Sequence, residues 1–269
     1  MNGLSLFSGI GGIDLAFTWA GGNILAFCEI DNYCQKVLHK HWPEVPIFSD
    51  IHELNRDVIK NAGISTAIDI VYGGFPCQPF SVAGNKKGED DTRYLWPEFS
   101  RVVREFRPSW VVGENVPGIL NIAADTVCAD LEREGYEVGI WDYEAASVGA
   151  RHRRERIFFI ANAGRTLRQR CAVAGTFHGE YETAPTVKPE RPDSAPDTAE
   201  QEKDSGGKFE PELCGGFDGL SDFLDGSVSM TATGIPNRTN RLKALGNAVV
   251  PQQIYPIFKA IMEVKSSHD

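Results

Sequence analysis

The sequence predicts an α/β fold, a doubly wound and mostly parallel sheet joined to a small, partly irregular region. Three observations lead there. Over roughly the first 160 residues, short apolar runs alternate with amphipathic ones, the pattern of strands exchanged with crossover helices. Glycines follow the apolar runs, at Gly9, Gly11 and Gly12, at Gly73-Gly74 and at Gly113. With 42% hydrophobic and 24% charged residues, the 269-residue chain can bury a full core without disulfides or metals.

The elements read in order. Leu4–Phe7 is a strand, and the glycine turn leads into a helix in which Ile13, Ala16, Phe17 and Ala20 repeat at helical spacing before Gly21-Gly22 stops it. Asn23–Cys28 is a second strand. Asp31 caps a helix that runs to about His41, short of Pro43, and Ile47-Phe48 is a third strand. Ile68–Tyr72 is a continuous apolar strand. Leu95–Phe106 is helical and ends near Pro108, Trp110–Val112 is a strand, Val127–Glu134 a helix, and Tyr136–Tyr143 and Ile157–Ala161 late strands. Helical periodicity returns at Arg241–Leu245 and Ile254–Val264. Between them, residues 183–212 carry five prolines among many acids, a composition that cannot bury enough surface to offset ordering entropy, so a flexible insert is expected.

Charge follows the same division. The net charge is −10, but residues 180–225 hold 13 of the acidic residues against 4 basic ones, which accounts for −9. The remainder is close to neutral and is free to carry a local basic face, the densest run being Arg151-His152-Arg153-Arg154-Glu155-Arg156. The six cysteines form no C-x-x-C pair and no zinc spacing, so they read as reduced thiols. With no apolar run near 20 residues and no basic leader or cleavage signal at the N-terminus, a cytoplasmic protein is expected.

Strand, glycine-rich turn and helix form a nucleotide-binding arrangement, although Phe7-Ser8-Gly9-Ile10-Gly11-Gly12 is not the dinucleotide spacing. The glycines serve either a tight turn alone or the close approach of a ligand. Glu29, 20 residues after Gly9 at the end of the next strand, is placed to accept from both hydroxyls of a ribose, and Asp50 after the third strand to meet an adenine amino group; both are otherwise solvated loop acids.

The second half of the chemistry follows Ile68–Tyr72. In Gly74-Phe75-Pro76-Cys77-Gln78-Pro79-Phe80-Ser81 a thiol sits between two prolines at the carboxyl end of a strand, where open α/β sheets bind ligands. Cys77 is therefore a candidate nucleophile, whereas Cys28, Cys34 and Cys128 read as small buried hydrophobes. Glu114, in Gly113-Glu114-Asn115-Val116, follows another apolar strand, where desolvation can keep a carboxyl protonated; the alternative is a salt-bridged carboxylate at a helix start. Arg154 and Arg156, two apart before Ile157–Ala161, face one side of an extended segment or belong to a solvated basic face.

Taken in order, these segments resemble the cytosine-5 DNA methyltransferase family. Leu6–Gly12 resembles its first motif, Gly74–Ser81 its proline-cysteine-glutamine nucleophile motif, and Glu114-Asn115-Val116 its glutamate-asparagine-valine motif. Arg154 and Arg156 match the two arginines of a later motif, and Gly246-Asn247-Ala248-Val249-Val250-Pro251 resembles the last one. His152 stands where the family usually has glutamine, and Ala248 replaces a frequent serine. The resemblance implies a Rossmann-like methyltransferase domain over 1–162 plus 236–269, with 163–235 as a reduced target-recognition region.

It also implies S-adenosylmethionine as cofactor, held by Phe7, Ser8, Gly9, Ile10, Gly11, Gly12, Glu29, Ile30, Asp50, Ile51, Pro76, Leu95, Asn247 and Ala248. Cys77 is implied to add to carbon 6 of cytosine, Glu114 to hold ring nitrogen 3 and the amino group, Arg154 to bind the pyrimidine carbonyl, and Arg156 to orient Glu114 or the loop. The implied partner is double-stranded DNA with the target base flipped out, and Ser81–Tyr94 resembles the loop that closes over it. No metal is implied, and a monomer away from membranes is expected. The rivals are an RNA cytosine-5 methyltransferase and an inactive binding protein on the same scaffold; a nicotinamide dehydrogenase fits the glycine spacing poorly.

Overall fold

The computed structural model describes residues 1–76, 94–163 and 237–266. The insert 183–212, most of 163–235, the loop after Tyr72 from residue 77 on, and Cys77 itself lie outside these residues.

Seven strands form one sheet: β1 (Asn2–Leu6), β2 (Asn23–Cys28), β3 (Ile47–Phe48), β4 (Ile70–Gly74), β5 (Trp110–Asn115), β6 (Glu137–Glu144) and β7 (Glu155–Asn162). Their order is β3-β2-β1-β4-β5-β7-β6, with β1 to β5 parallel and β7 antiparallel to both neighbours. The helices are α1 (Gly12–Trp19), α2 (Asn32–His41), α3 (Arg56–Asn61), α4 (Trp96–Phe106), α5 (Ala124–Arg133), α6 (Arg238–Asn247) and α7 (Pro251–Ser266). The expected doubly wound, mostly parallel sheet is what forms. Among the described residues, no helix is long and apolar enough to cross a membrane.

Strand alternation explains why both faces are covered. On β4, Val71 points into one core with Trp96, Phe99 and Val103 of α4 and Ile59 of α3, while Ile70 and Tyr72 point into the other with Phe17 of α1, Leu38 of α2 and Phe258 of α7. The C-terminal helix thus returns to the first one, with the Phe17 and Phe258 rings 5.2 Å apart.

Two strands run further than their apolar stretches suggest. β4 continues through Gly73-Gly74 and β5 through Glu114-Asn115, because Gly74 pairs with Glu114 in the parallel ladder. α3, absent from the sequence reading, is a single short helix whose N-terminus is capped by Asn55, the side chain accepting from Val58 N at 2.9 Å. Cys28 and Cys34 are buried and Cys128 half-buried; burial pushes the thiols of Cys28 and Cys34 up to about 12.

Candidate functional site

The site lies along the carboxyl ends of β1, β2, β4 and β5, where parallel strands leave their turns. Antiparallel β7 brings its amino end to the same edge: Asn115 pairs with Ile157, so Arg156 stands one residue beyond.

On the β1–β2 side, the chain leaves Leu6 through Phe7, a non-glycine residue at φ 51, and enters α1 through Gly11 at φ 88. A Cβ at Gly11 would stand 2.6 Å from the Trp42 ring, so glycine is needed there for space as well as conformation. Glu29 holds this turn from below. Its Oε2 accepts from Gly9 N at 2.7 Å and its Oε1 from Asp31 N at 2.7 Å. Burial raises the Glu29 carboxyl above its ordinary value, opposed by those main-chain N–H groups. Next to it Ile30 is 76% exposed, an apolar side chain held open at the rim. Asp50 pairs with its neighbour His52, accepting from His52 N at 2.9 Å and meeting Nδ1 at 2.7 Å, contacts that lower its pKa.

The C-terminal segment closes this side. Ala244 of α6 packs with Ile10, Cys34 and Val37, and Ala248 joins the same cluster. Lys243 reaches Asp31, the N-cap of α2, at 3.0 Å. Asn247 ends α6 exposed to solvent.

On the β4–β5 side, Glu114 is 8% exposed. Its carboxyl occupies the space a side chain at position 74 would need, since a Cβ on Gly74 would lie 2.5 Å from Glu114 Oε2. Asn115 donates through Nδ2 to Phe75 O at 2.9 Å and fixes the backbone just before Pro76, which is exposed. Leu95, at the start of α4, reaches Pro76 O through its main-chain N–H at 3.4 Å.

Arg156 Nε lies 2.8 Å from Glu114 Oε1, a close ion pair without the alignment of a hydrogen bond. Burial pushes the Glu114 carboxyl up to about 7, against the downward pull of Arg156 and Arg154. Such a group exchanges its proton near neutral pH, as a general acid or base requires.

Arg154 and Arg156 make different contacts. Arg154 has φ 38 and precedes β7, so strand alternation does not govern it. Its Nη2 donates to Gly246 O at 2.7 Å and to Ala248 O at 2.5 Å, and its own carbonyl accepts from Gln253 Nε2 at 2.9 Å. It ties the β7 entrance to the C-terminal helices, a role nothing in the arginine run signals. Ile51, expected at the cofactor, is 5% exposed and packs in the core with Leu54 and Ile59. Cys77 follows Pro76 directly, outside the described residues.

The arrangement is a close-approach turn with a fixed carboxylate beneath it and an exposed aliphatic side chain beside it. Residues 1–208 match the family model for C-5 cytosine-specific DNA methylases. The chain is 37% identical over 175 residues to type II methyltransferase M.AquIA of Picosynechococcus sp., covering 59% of this chain and 71% of that one. It is 34% identical over 171 residues to type II methyltransferase M2.BsuMI of Bacillus subtilis, where the match spans 60% of this chain but 42% of the relative.

Among solved structures, one assigned as a DNA modification methyltransferase encoded within an E. coli prophage superposes with TM-score 0.53 at 30% identity, over 60% of this chain and 46% of its own. Spodoptera frugiperda DNMT2 shares the fold at TM-score 0.51 and 24% identity, over 61% and 51%. The chain therefore belongs to the C-5 cytosine-specific DNA methylase family.

Proposed function

We propose that this protein transfers a methyl group from S-adenosylmethionine to carbon 5 of cytosine in double-stranded DNA, through a covalent bond between Cys77 and the base. One observation carries the reading: Glu114 is a buried carboxyl, its pKa raised to about 7 by burial, set against Gly74 of the neighbouring strand and paired with Arg156, and Cys77 comes three positions after Gly74 in the sequence.

Cytosine is too electron-poor at carbon 5 to attack a methyl sulfonium unaided. Addition of the Cys77 thiolate at carbon 6 makes carbon 5 enamine-like, and Glu114 holds nitrogen 3 and the amino group, supplying a proton where negative charge develops. Arg156 fixes the carboxyl's direction and keeps its proton exchangeable. The bound cofactor supplies the electrophilic methyl group. Phe7–Gly12 and Glu29 would hold it, with Ile30, Asp50, Asn247 and Ala248 as further contacts. Loss of the carbon 5 proton to a water molecule, with breaking of the sulfur–carbon 6 bond, then releases Cys77 as the thiolate. The target base leaves the duplex to reach this edge, at a cost of a few kcal/mol. Residues 163–235 serve as the reduced target-recognition region, and 1–162 with 236–269 as the catalytic domain.

The test is Cys77→Ser, assayed with labelled cofactor on duplex DNA. Methyl transfer is lost and cofactor binding stays. A Cys77→Ser protein that methylates DNA at the wild-type rate contradicts the covalent route.

A further inference from the structure

A second buried carboxyl lies beneath the cofactor turn, and the reaction above does not use it. Asp14, in the first turn of α1, is fully buried. Tyr72 of β4 donates its hydroxyl to Asp14 Oδ1 at 2.9 Å. Oδ2 has no hydrogen-bond partner among the described residues, and the Ser5 hydroxyl of β1, with that of Tyr72, works against the rise in the carboxyl's pKa. Ser5 Oγ in turn donates to Ser8 Oγ at 2.8 Å, and Ser8 is part of the turn itself. The surroundings are aromatic: the Tyr72 ring stands 4.8 Å from Phe17 and 5.4 Å from Phe258 of α7.

Resting on the reading of Phe7–Gly12 as the cofactor turn, we propose that Asp14 is a positioning residue that sets this turn through its proton. As the neutral acid it donates to Ser5 Oγ, which leaves the Ser5 hydroxyl proton for Ser8; donors then point one way from Tyr72 through Asp14 and Ser5 to the turn. When Asp14 gives its proton to solvent, the carboxylate draws the Ser5 hydroxyl toward itself, and Ser8 loses its donor.

The charges and dipoles around Asp14 agree with a proton held in the working pH range. Burial raises its pKa to about 7, opposed by the Ser5 and Tyr72 hydroxyls and by the helix backbone, and assisted by the negative charge of Glu29 at the end of β2. An ionised carboxylate with one firm donor in an aromatic pocket is costly, which is why the neutral form persists so far above the ordinary range.

The experiment is calorimetric titration of the full chain with S-adenosylmethionine from pH 5.5 to 8.5, for wild type, Asp14→Asn and Ser5→Ala. Wild-type affinity falls as pH rises through about 7, by severalfold and up to about tenfold if the coupling reaches one pK unit. Asp14→Asn, an isostere of the neutral acid that donates permanently to Ser5, binds at pH 8 at least as tightly as wild type at pH 6 and shows a flat profile. Ser5→Ala is also flat, but weaker at low pH, because the link to Ser8 is gone. A purely structural Asp14 would change affinity without changing the slope. The proposal is overturned if Asp14→Asn keeps the wild-type slope or, should that variant not fold, if Ser5→Ala keeps it. Wild type that binds no cofactor at any pH would instead remove the cofactor-turn reading on which this rests.

Discussion

The two halves of the site hold a buried carboxylate in different ways. Glu29, under the cofactor turn, is held by main-chain N–H groups of Gly9 and Asp31. Glu114, at the carboxyl end of β5, is held by a side-chain cation, Arg156, and by the gap left at Gly74. Main-chain donors cannot move without moving the fold, so Glu29 acts as a fixed strut. The guanidinium only partly offsets the burial of Glu114, so the carboxyl's pKa stays raised to about 7. In the proposed function one half shapes a surface and the other does chemistry, and substitutions should separate them.

The largest effect is expected at Glu114. Glu114→Gln keeps the shape but removes the exchangeable proton, and kcat should fall by about 10²–10⁴-fold with cofactor affinity little changed. Methyl transfer in steady state, with cofactor binding measured beside it, checks the split. The same variant should alter stability against pH. The folded-state pKa of about 7 lies above the ordinary 4.5, so the folded protein binds more protons between those values. Stability contributed by this group is present below about 4.5 and is lost as pH rises to about 7, after which it stays level. Urea unfolding at pH 5 and pH 8 should show that loss in wild type and a smaller one in Glu114→Gln.

Gly74→Ala comes next. Its Cβ would press on Glu114 Oε2 at 2.5 Å, so the carboxyl must shift, and a displacement of this order should cost activity about 10²-fold. A glycine needed only for a turn would tolerate the change, and activity within twofold of wild type would say so. The smallest effect belongs to the strut. In Glu29→Gln an amide N–H must face one of two main-chain donors, and loss of one charged hydrogen bond at about 1.5–3 kcal/mol should raise KM for the cofactor by roughly tenfold or more with kcat nearly intact. If Glu29→Gln lowers kcat as strongly as Glu114→Gln, the division between the halves is wrong.

Much of this was legible from residue order. The apolar runs place β1, β2, β4, β5 and β7, the N-cap Asp31 places α2, and the described residues Phe7, Glu29, Pro76 and Glu114 come to one edge because parallel strands deliver their ends there. What the sequence conceals has physical causes. Gly73-Gly74 and Glu114-Asn115 carry no strand propensity, yet the ladder between β4 and β5 extends over them, so the acid sits in the sheet and not in a turn. α3 buries only Ile59, too little to create a periodic signal. Strand alternation gives no sign that Arg154, before β7 at a positive φ, binds the Gly246 and Ala248 carbonyls while Arg156 pairs with Glu114. Asp14 and Tyr72 are 58 residues apart, and no local pattern announces that they meet.

The central claim is that Glu114 activates a base attached to Cys77. It is tested most directly by trapping: incubation with cofactor and a duplex carrying 5-fluorocytosine, whose carbon 5 has no proton to lose. The account predicts a denaturation-resistant protein–DNA adduct in wild type, mapped by peptide mass to the segment containing Cys77, absent in Cys77→Ser and formed much more slowly in Glu114→Gln. An adduct mapped to another residue, or formed equally fast without the Glu114 carboxyl, would contradict it.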